Sequence, residues 1–205
     1  MPTMIGLDGR SLALVAVTVI ALTSCRQMGG SIPTATTTVS SQSSTVRSLG
    51  TADLEQRPIT LTPLNVGKSC PISVARSAGG FNVVGDGPIY LVQPSTVHYG
   101  KGVLQNGWHY IKAPWLSSPN YRGTALIRGR QLDGQNELRF QRGGPESTAG
   151  LPYLQFPVNT GISSPDLQTA WRFQSASLGF GAPGCYGIQV DASGFAETIV
   201  IEAKE

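Results

Sequence analysis

Charge is scarce in this chain. Asp, Glu, Lys and Arg make up 13% of 205 residues, and the formal net charge is only +3. So small an excess, spread along the chain, is no electrostatic footprint for a nucleic-acid backbone, and no nucleic-acid partner is expected. Helix-favouring charged residues are few, while 25 Gly and 14 Pro interrupt the chain at about one position in five. Long helices and coiled coils are thereby excluded. Histidine occurs twice, at His98 and His109, and cysteine three times. No Gly-x-Ser-x-Gly elbow, phosphate-binding Gly-x-x-x-x-Gly-Lys-Ser/Thr loop or His-Glu-x-x-His pair is present. A Ser/His/Asp triad would have to recruit one of the two histidines, and no spacing favours a zinc site built from them with an acid such as Asp86. No catalytic residue, metal or cofactor is assigned.

Apolar length is concentrated at the N-terminus. Ser11–Leu22, SLALVAVTVIAL, follows Arg10 and contains no charge, Pro or Gly. A basic residue before a 7–15-residue apolar core is the pattern of a secretory signal peptide, and the run is too short to span a bilayer. The core ends in Leu22-Thr23-Ser24-Cys25. This segment resembles the lipobox of bacterial lipoproteins: an aliphatic residue, two small residues, then Cys. The resemblance implies cleavage before Cys25 and attachment of a diacylglyceryl group to its sulfur. Two or three acyl chains give stable membrane residence where one gives only marginal binding. Arg26 follows, where the commonest inner-membrane retention signal has Asp. The expected location is therefore extracytoplasmic, lipid-anchored in a bacterial cell membrane or outer membrane.

Between Ser31 and Thr51, twelve of 21 residues are Ser or Thr and none is aromatic. Such a segment cannot bury enough surface to offset its ordering entropy. Residues 25–59 are read as the lipidated Cys and a flexible tether, and 60–205 as the folded domain. From Thr60 onward, short β-branched and aromatic runs alternate with turn residues. Strands are expected at Phe81–Val84, Pro88–Val92, Gly107–Ala113, Thr124–Arg130, Glu137–Gln141, Trp171–Phe180, Cys185–Asp191 and Phe195–Ala203, with turns at Asp133-Gly134 and Ser193-Gly194. Many short strands with turn signals between them imply an all-β antiparallel sandwich or barrel. Tyr186, Ile188 and Val190 share one strand face, with Gly187 and Gln189 on the other. Ile199-Val200-Ile201 fits a strand buried on both faces or a bulge.

If Cys25 carries lipid, Cys70 and Cys185 remain in an exported domain. An even number of cysteines in an oxidising compartment implies one disulfide between them; two buried free thiols are the alternative. Cys185 has the opposite parity to Tyr186, Ile188 and Val190. A bridge there would lie off the centre line of the core, unlike the central pin of antibody domains.

Aromatic residues are the main pointer to a binding surface. Trp108, Tyr110, Trp115 and Tyr121 fall within fourteen positions, and Pro114 and Pro119 bracket Trp115. Loop-held aromatic rings can stack on sugars or anchor a protein partner. Trp108, Trp115 and Tyr121 are therefore candidate binding residues. The alternative is that Trp108 and Tyr110 alternate into the core while Trp115 caps it. Arg122, Arg128, Arg130, Arg139 and Arg142 follow. They could face anionic headgroups or cell-wall polymers, or form a solvated sheet face.

Gly123–Gly134, with its Gly-Arg-Gln-Leu-Asp-Gly end, and Ser177–Val190, with Pro183-Gly184-Cys185-Tyr186, resemble segments of a group of bacterial lipoproteins without an assigned activity. Cys70-Pro71 completes the likeness, which covers residues 68–203 in scattered blocks. The resemblance implies an immunoglobulin-like β-sandwich behind a lipidated Cys. The expected role is a non-catalytic extracytoplasmic interaction or envelope-structural module, touching the membrane through Cys25 and a cell-wall glycan or envelope protein through the domain. The alternatives are a carbohydrate- or cell-wall-binding module using the Trp115 loop and an extracytoplasmic hydrolase.

Overall fold

A computed structural model describes residues 49–65, 67–143, 150–156 and 171–205. The expected signal peptide, Cys25 and the Ser/Thr-rich segment up to residue 48 lie outside the described residues. The fold is an all-β sandwich whose strands are paired in antiparallel sheets, with one parallel exception. The first sheet has the order β10-β8-β13-β14-β4, formed by Tyr153–Phe156, Ala125–Gln131, Gly184–Ala192, Phe195–Lys204 and Thr96–His98. Among the described residues only β4 runs parallel to its neighbour. The second sheet is β1 (Ala75–Ala78), β2 (Phe81–Val84), β3 (Ile89–Leu91), β7 (Trp115–Ser117) and β11 (Arg172–Gln174). The third has the order β5-β6-β12-β9: Val103–Gln105, Trp108–Lys112, Ala176–Phe180 and Leu138–Arg142.

One core is filled from all three sheets. Ile127, Tyr186, Ile188, Val190, Ile199 and Ile201 enter from the first, Val84, Ile89, Leu91 and Trp115 from the second, and Phe140, Leu178 and Phe180 from the third. The period-2 reading of β13 holds: Tyr186, Ile188 and Val190 are in this core, whereas Cys185 packs into a separate small cluster with Leu61 and Leu132. Val200 leans on that same cluster. Both faces of β14 are thus covered around 199–201, which accounts for the unbroken apolar run.

The second and third sheets are two parts of one bent ribbon. Gly107–Ala113 was expected as a single strand and Trp115 as a loop. Instead the chain passes from β6 through Pro114 directly into β7. Opposite, the expected strand Trp171–Phe180 breaks at Ser175 into β11 and β12. β7 pairs with β11 and β6 with β12, and the Ala113 N–H donates to Ala176 O at 2.8 Å across the bend. Proline has no N–H for a ladder bond, so the ribbon changes sheets where it loses one.

The boundary of the domain lies earlier than expected. Thr51–Glu55 forms a short helix, α1, and Leu54 is fully buried. Residues 49–59 are therefore part of the packed domain and not of a tether. Charged and polar side chains on the first sheet hold this strap. Arg128 donates to Arg57 O at 2.9 Å, Gln189 Nε2 to Pro58 O at 3.0 Å, and Thr60 N–H to Gln189 Oε1 at 2.7 Å. Arg130 donates to Leu61 O, and Leu64 N–H to Leu132 O at 2.6 Å. Gly187 lets the strap sit close: a Cβ there would meet Leu132 Cδ2 at 2.8 Å and Leu61 Cδ2 at 3.1 Å, and both leucines would have to shift.

Candidate functional site

The candidate aromatic residues do not converge. Trp115 is fully buried in β7 and contributes to the central core. It cannot stack on a sugar, and the expectation of a Trp115 binding loop is corrected: β7 is a central strand of its sheet, between β3 and β11, which places the indole inward. Tyr110 is also buried, and Gly179 leaves room for its ring. Trp108 is partly buried, with the Arg139 guanidinium 5.5 Å from its ring centroid. Tyr121 packs edge-on against Phe195 at 5.2 Å and donates its hydroxyl to Thr124 O at 2.6 Å. The four aromatic rings outside the central core that do cluster are Phe81, Tyr90, Trp171 and Phe173, packed around Val83 and Leu116. They come from three strands and a preceding residue, spread over more than ninety positions, so no local sequence signal marks them.

The arginine-rich stretch is not a free cationic face. Arg128 forms a 2.6 Å ion pair with Asp191, whose side chain is 2% exposed. Gln189 Nε2 donates to both Asp191 carboxylate oxygens, at 3.0 and 2.9 Å. Arg130 is taken by Leu61 O, and Arg139 pairs with Glu137 at 2.7 Å. Asp133, expected in a simple turn, accepts the Cys185 N–H with both oxygens at 3.0 Å. The Asp133-Gly134 bend carries the chain from the first sheet to the third.

Cys70 and Cys185 are joined in a disulfide with a Cα–Cα distance of 5.4 Å. Among the described residues no group of three or more His, Cys, Asp or Glu side chains converges as a metal site. Asp86 is drawn to Arg76, His109 packs edge-on against Tyr99 at 5.0 Å, and His98 Nδ1 contacts the main-chain oxygen of Glu205 at 2.8 Å.

One carboxyl group stands out. Glu197 accepts the backbone N–H groups of Asp86 and Gly87, the latter at 3.1 Å, and so holds the Gly85–Gly87 turn against β14. Gly85 has φ +116°, and a Cβ there would lie 2.6 Å from Glu197 Oε1, so the turn needs glycine at this point. Burial pushes the Glu197 carboxyl from its ordinary 4.5 up to about 7, opposed by the two backbone donors, while the Asp86 carboxylate pushes upward and the Arg76 guanidinium downward. A carboxyl group raised by folding contributes fully below about pH 4.5, and that contribution is lost as pH rises through about 7. Thermal melts between pH 4.5 and 8 are expected to show stability declining by about 1 kcal/mol from this group, after discounting for solvent screening. Glu197→Gln should flatten that decline; an unchanged slope in the variant would assign it to other groups.

A cleft of 430 Å³ opens between β4 and the β5–β6 hairpin. Its walls carry Thr96 and His98 on one side and Lys101, Val103 and Lys112 on the other. None of the described residues lining it is acidic. Comparison with protein-family models, curated proteins and solved structures returned no match.

Proposed function

We propose that the chain is an exported bacterial lipoprotein, held in a membrane through Cys25, whose β-sandwich acts outside the cytoplasm as a non-catalytic interaction or envelope-structural module. The observation that carries this reading is Leu22-Thr23-Ser24-Cys25 placed at the end of the apolar run Ser11–Leu22. The Cys70–Cys185 disulfide supports it, because such bridges persist in oxidising compartments and are rare in the cytosol. The likeness of Gly123–Gly134 and Ser177–Val190 to immunoglobulin-like lipoproteins belongs to the same proposal. So does the distinction between inner and outer membrane, for which Arg26 favours the outer.

The chain joins the domain at one end of the first sheet: Leu49 N–H donates to Ser193 Oγ at 2.8 Å, beside the β13–β14 turn. An anchor upstream of Leu49 is therefore attached to the Ser193-Gly194 end. Fractionation of cells carrying Cys25→Ala tests the anchor. The variant is expected to leave the membrane fraction, or to accumulate unprocessed with the signal sequence attached. A variant that stays in the membrane fraction with unchanged mobility and unchanged mass would end the lipoprotein reading.

A further inference from the structure

The cleft beside β4 combines an open strand edge with positive charge. β4 is the last strand of its sheet and pairs only with β14 among the described residues. The Glu202 N–H donates to Ser95 O at 2.8 Å, so Ser95 faces β14. Backbone direction alternates along a strand, which turns the N–H and C=O of Thr96 toward the cleft. An edge of this kind is a template for an added strand.

The chemistry of the walls narrows what such a strand would carry. Lys101 and Lys112 are exposed at the cleft, and His98 lies on its β4 wall. His98 Nδ1 contacts the Glu205 main-chain oxygen at 2.8 Å. The charged neighbours at that end are Glu202 and Lys204, paired with each other at 3.1 Å, and Glu205 at the rim. Both lysines of the cleft lack an acidic partner within ion-pair distance among the described residues. Val103 lines the cleft at 41% exposure, so apolar contact is offered next to the cations.

An open strand edge favours an extended peptide over a lipid surface, which has no main chain to add to the sheet.

We infer that the open edge of β4 and the cleft between His98, Lys101 and Lys112 take up an extended acidic peptide segment of a partner protein as an added strand. Main-chain hydrogen bonds to Thr96 supply the register. Alternate side chains of the segment meet the lysines and Val103. This deepens the interaction-module reading by naming the partner's chemistry, and it rests on that reading for its biological setting only.

The test is fluorescence anisotropy with the full chain in detergent and a labelled heptapeptide of alternating Val and Glu. Lys101→Glu combined with Lys112→Glu is expected to weaken binding at least tenfold, and raising the salt to 0.5 M should weaken the wild type severalfold. N-methylation of alternate peptide amides should abolish binding to the wild type. Thr96→Pro should do the same from the protein side, since edge strands tolerate proline; if that variant melts early, the N-methylated peptide on the wild type carries the test. Equal binding of the N-methylated peptide, equal binding of a Val/Lys heptapeptide, or no binding at millimolar peptide would overturn the inference. Uptake of polyphosphate or phosphatidylglycerol vesicles without uptake of the peptide would overturn it in favour of another anion class. Membrane residence of Cys25→Ala is read separately, so failure here leaves the anchor result standing.

Discussion

Replacing Asp191 with Ala should be among the most damaging single changes in this domain. Asp191 is 2% exposed and is the counter-ion of Arg128, itself only 11% exposed in its side chain. Removing one member of a buried pair leaves an uncompensated charge, at a cost of about 3–5 kcal/mol. The damage should also have an address. Arg128 holds Arg57 O, and Gln189 holds Pro58 O while donating to Asp191. With Asp191 gone, both side chains lose the partner that orients them, and the strap over β8 and β13 loosens. Limited digestion with a Glu-specific protease should then cut after Glu55, in the exposed part of the strap, well before the rest of the domain is degraded. The double variant Arg128→Met with Asp191→Leu separates the two effects. Two apolar groups replacing a buried ion pair are often neutral or stabilising, so the double variant should recover most of the lost stability. It should not recover protection at Glu55, because the donor to Arg57 O is absent. A double variant as unstable as Asp191→Ala alone would show that the pair matters for more than charge balance.

Loss of the disulfide should have a comparable effect through the unfolded chain. The bridge closes a loop of sequence separation 115. In the chain-entropy account such a loop is worth about 4–5 kcal/mol, and removal of native bridges costs about 2–5 kcal/mol in practice. The corresponding fall in melting temperature is roughly 5–20 °C for a domain of this size. Cys70→Ala with Cys185→Ala should show it, as should the wild type in reductant. Two features of the native state suggest that the fold itself survives. The bridge lies in the small cluster with Leu61, Leu132 and Val200, away from the central core, and the Cys185 N–H remains held by Asp133. The expected outcome is a lower but still cooperative melt. Free thiols at both positions in unreduced protein, or a melt indifferent to reductant, would contradict the assigned role of the bridge.

The strands that could be read locally are those with their own apolar pattern and turn residues. β2, β8, β13 and β14 fall within a residue or so of their expected limits. Those missed lack such a pattern. β1 is Ala-Arg-Ser-Ala and largely exposed, and β4 and β5 have three residues each. β7 was hidden because Pro114 and Pro119 make Trp115 look like part of a loop. Proline marks a missing N–H, and here it marks a bend between two sheets instead of the end of ordered structure. The parity of Cys185 against Tyr186, by contrast, located the bridge off the main core before any pairing was known, because side-chain direction along a strand depends only on position.

Composition and local order were enough to point to an all-β domain, to a bridge between Cys70 and Cys185, and to an N-terminal run with a lipobox-like end. Each depends on neighbours in the chain. Only the tertiary structure decided that residues 49–59 belong to the domain, that Trp115 is core and that Arg128 and Arg130 are consumed by a strap. Their partners stand 69 to 131 residues away in the chain, as with Arg130 to Leu61 and Gln189 to Pro58. The segment from Leu49 to Leu61 and an arginine-rich strand look solvated when taken alone. They pack together only because each offers the hydrogen bonds that the other lacks, and that complementarity exists in space and not along the sequence.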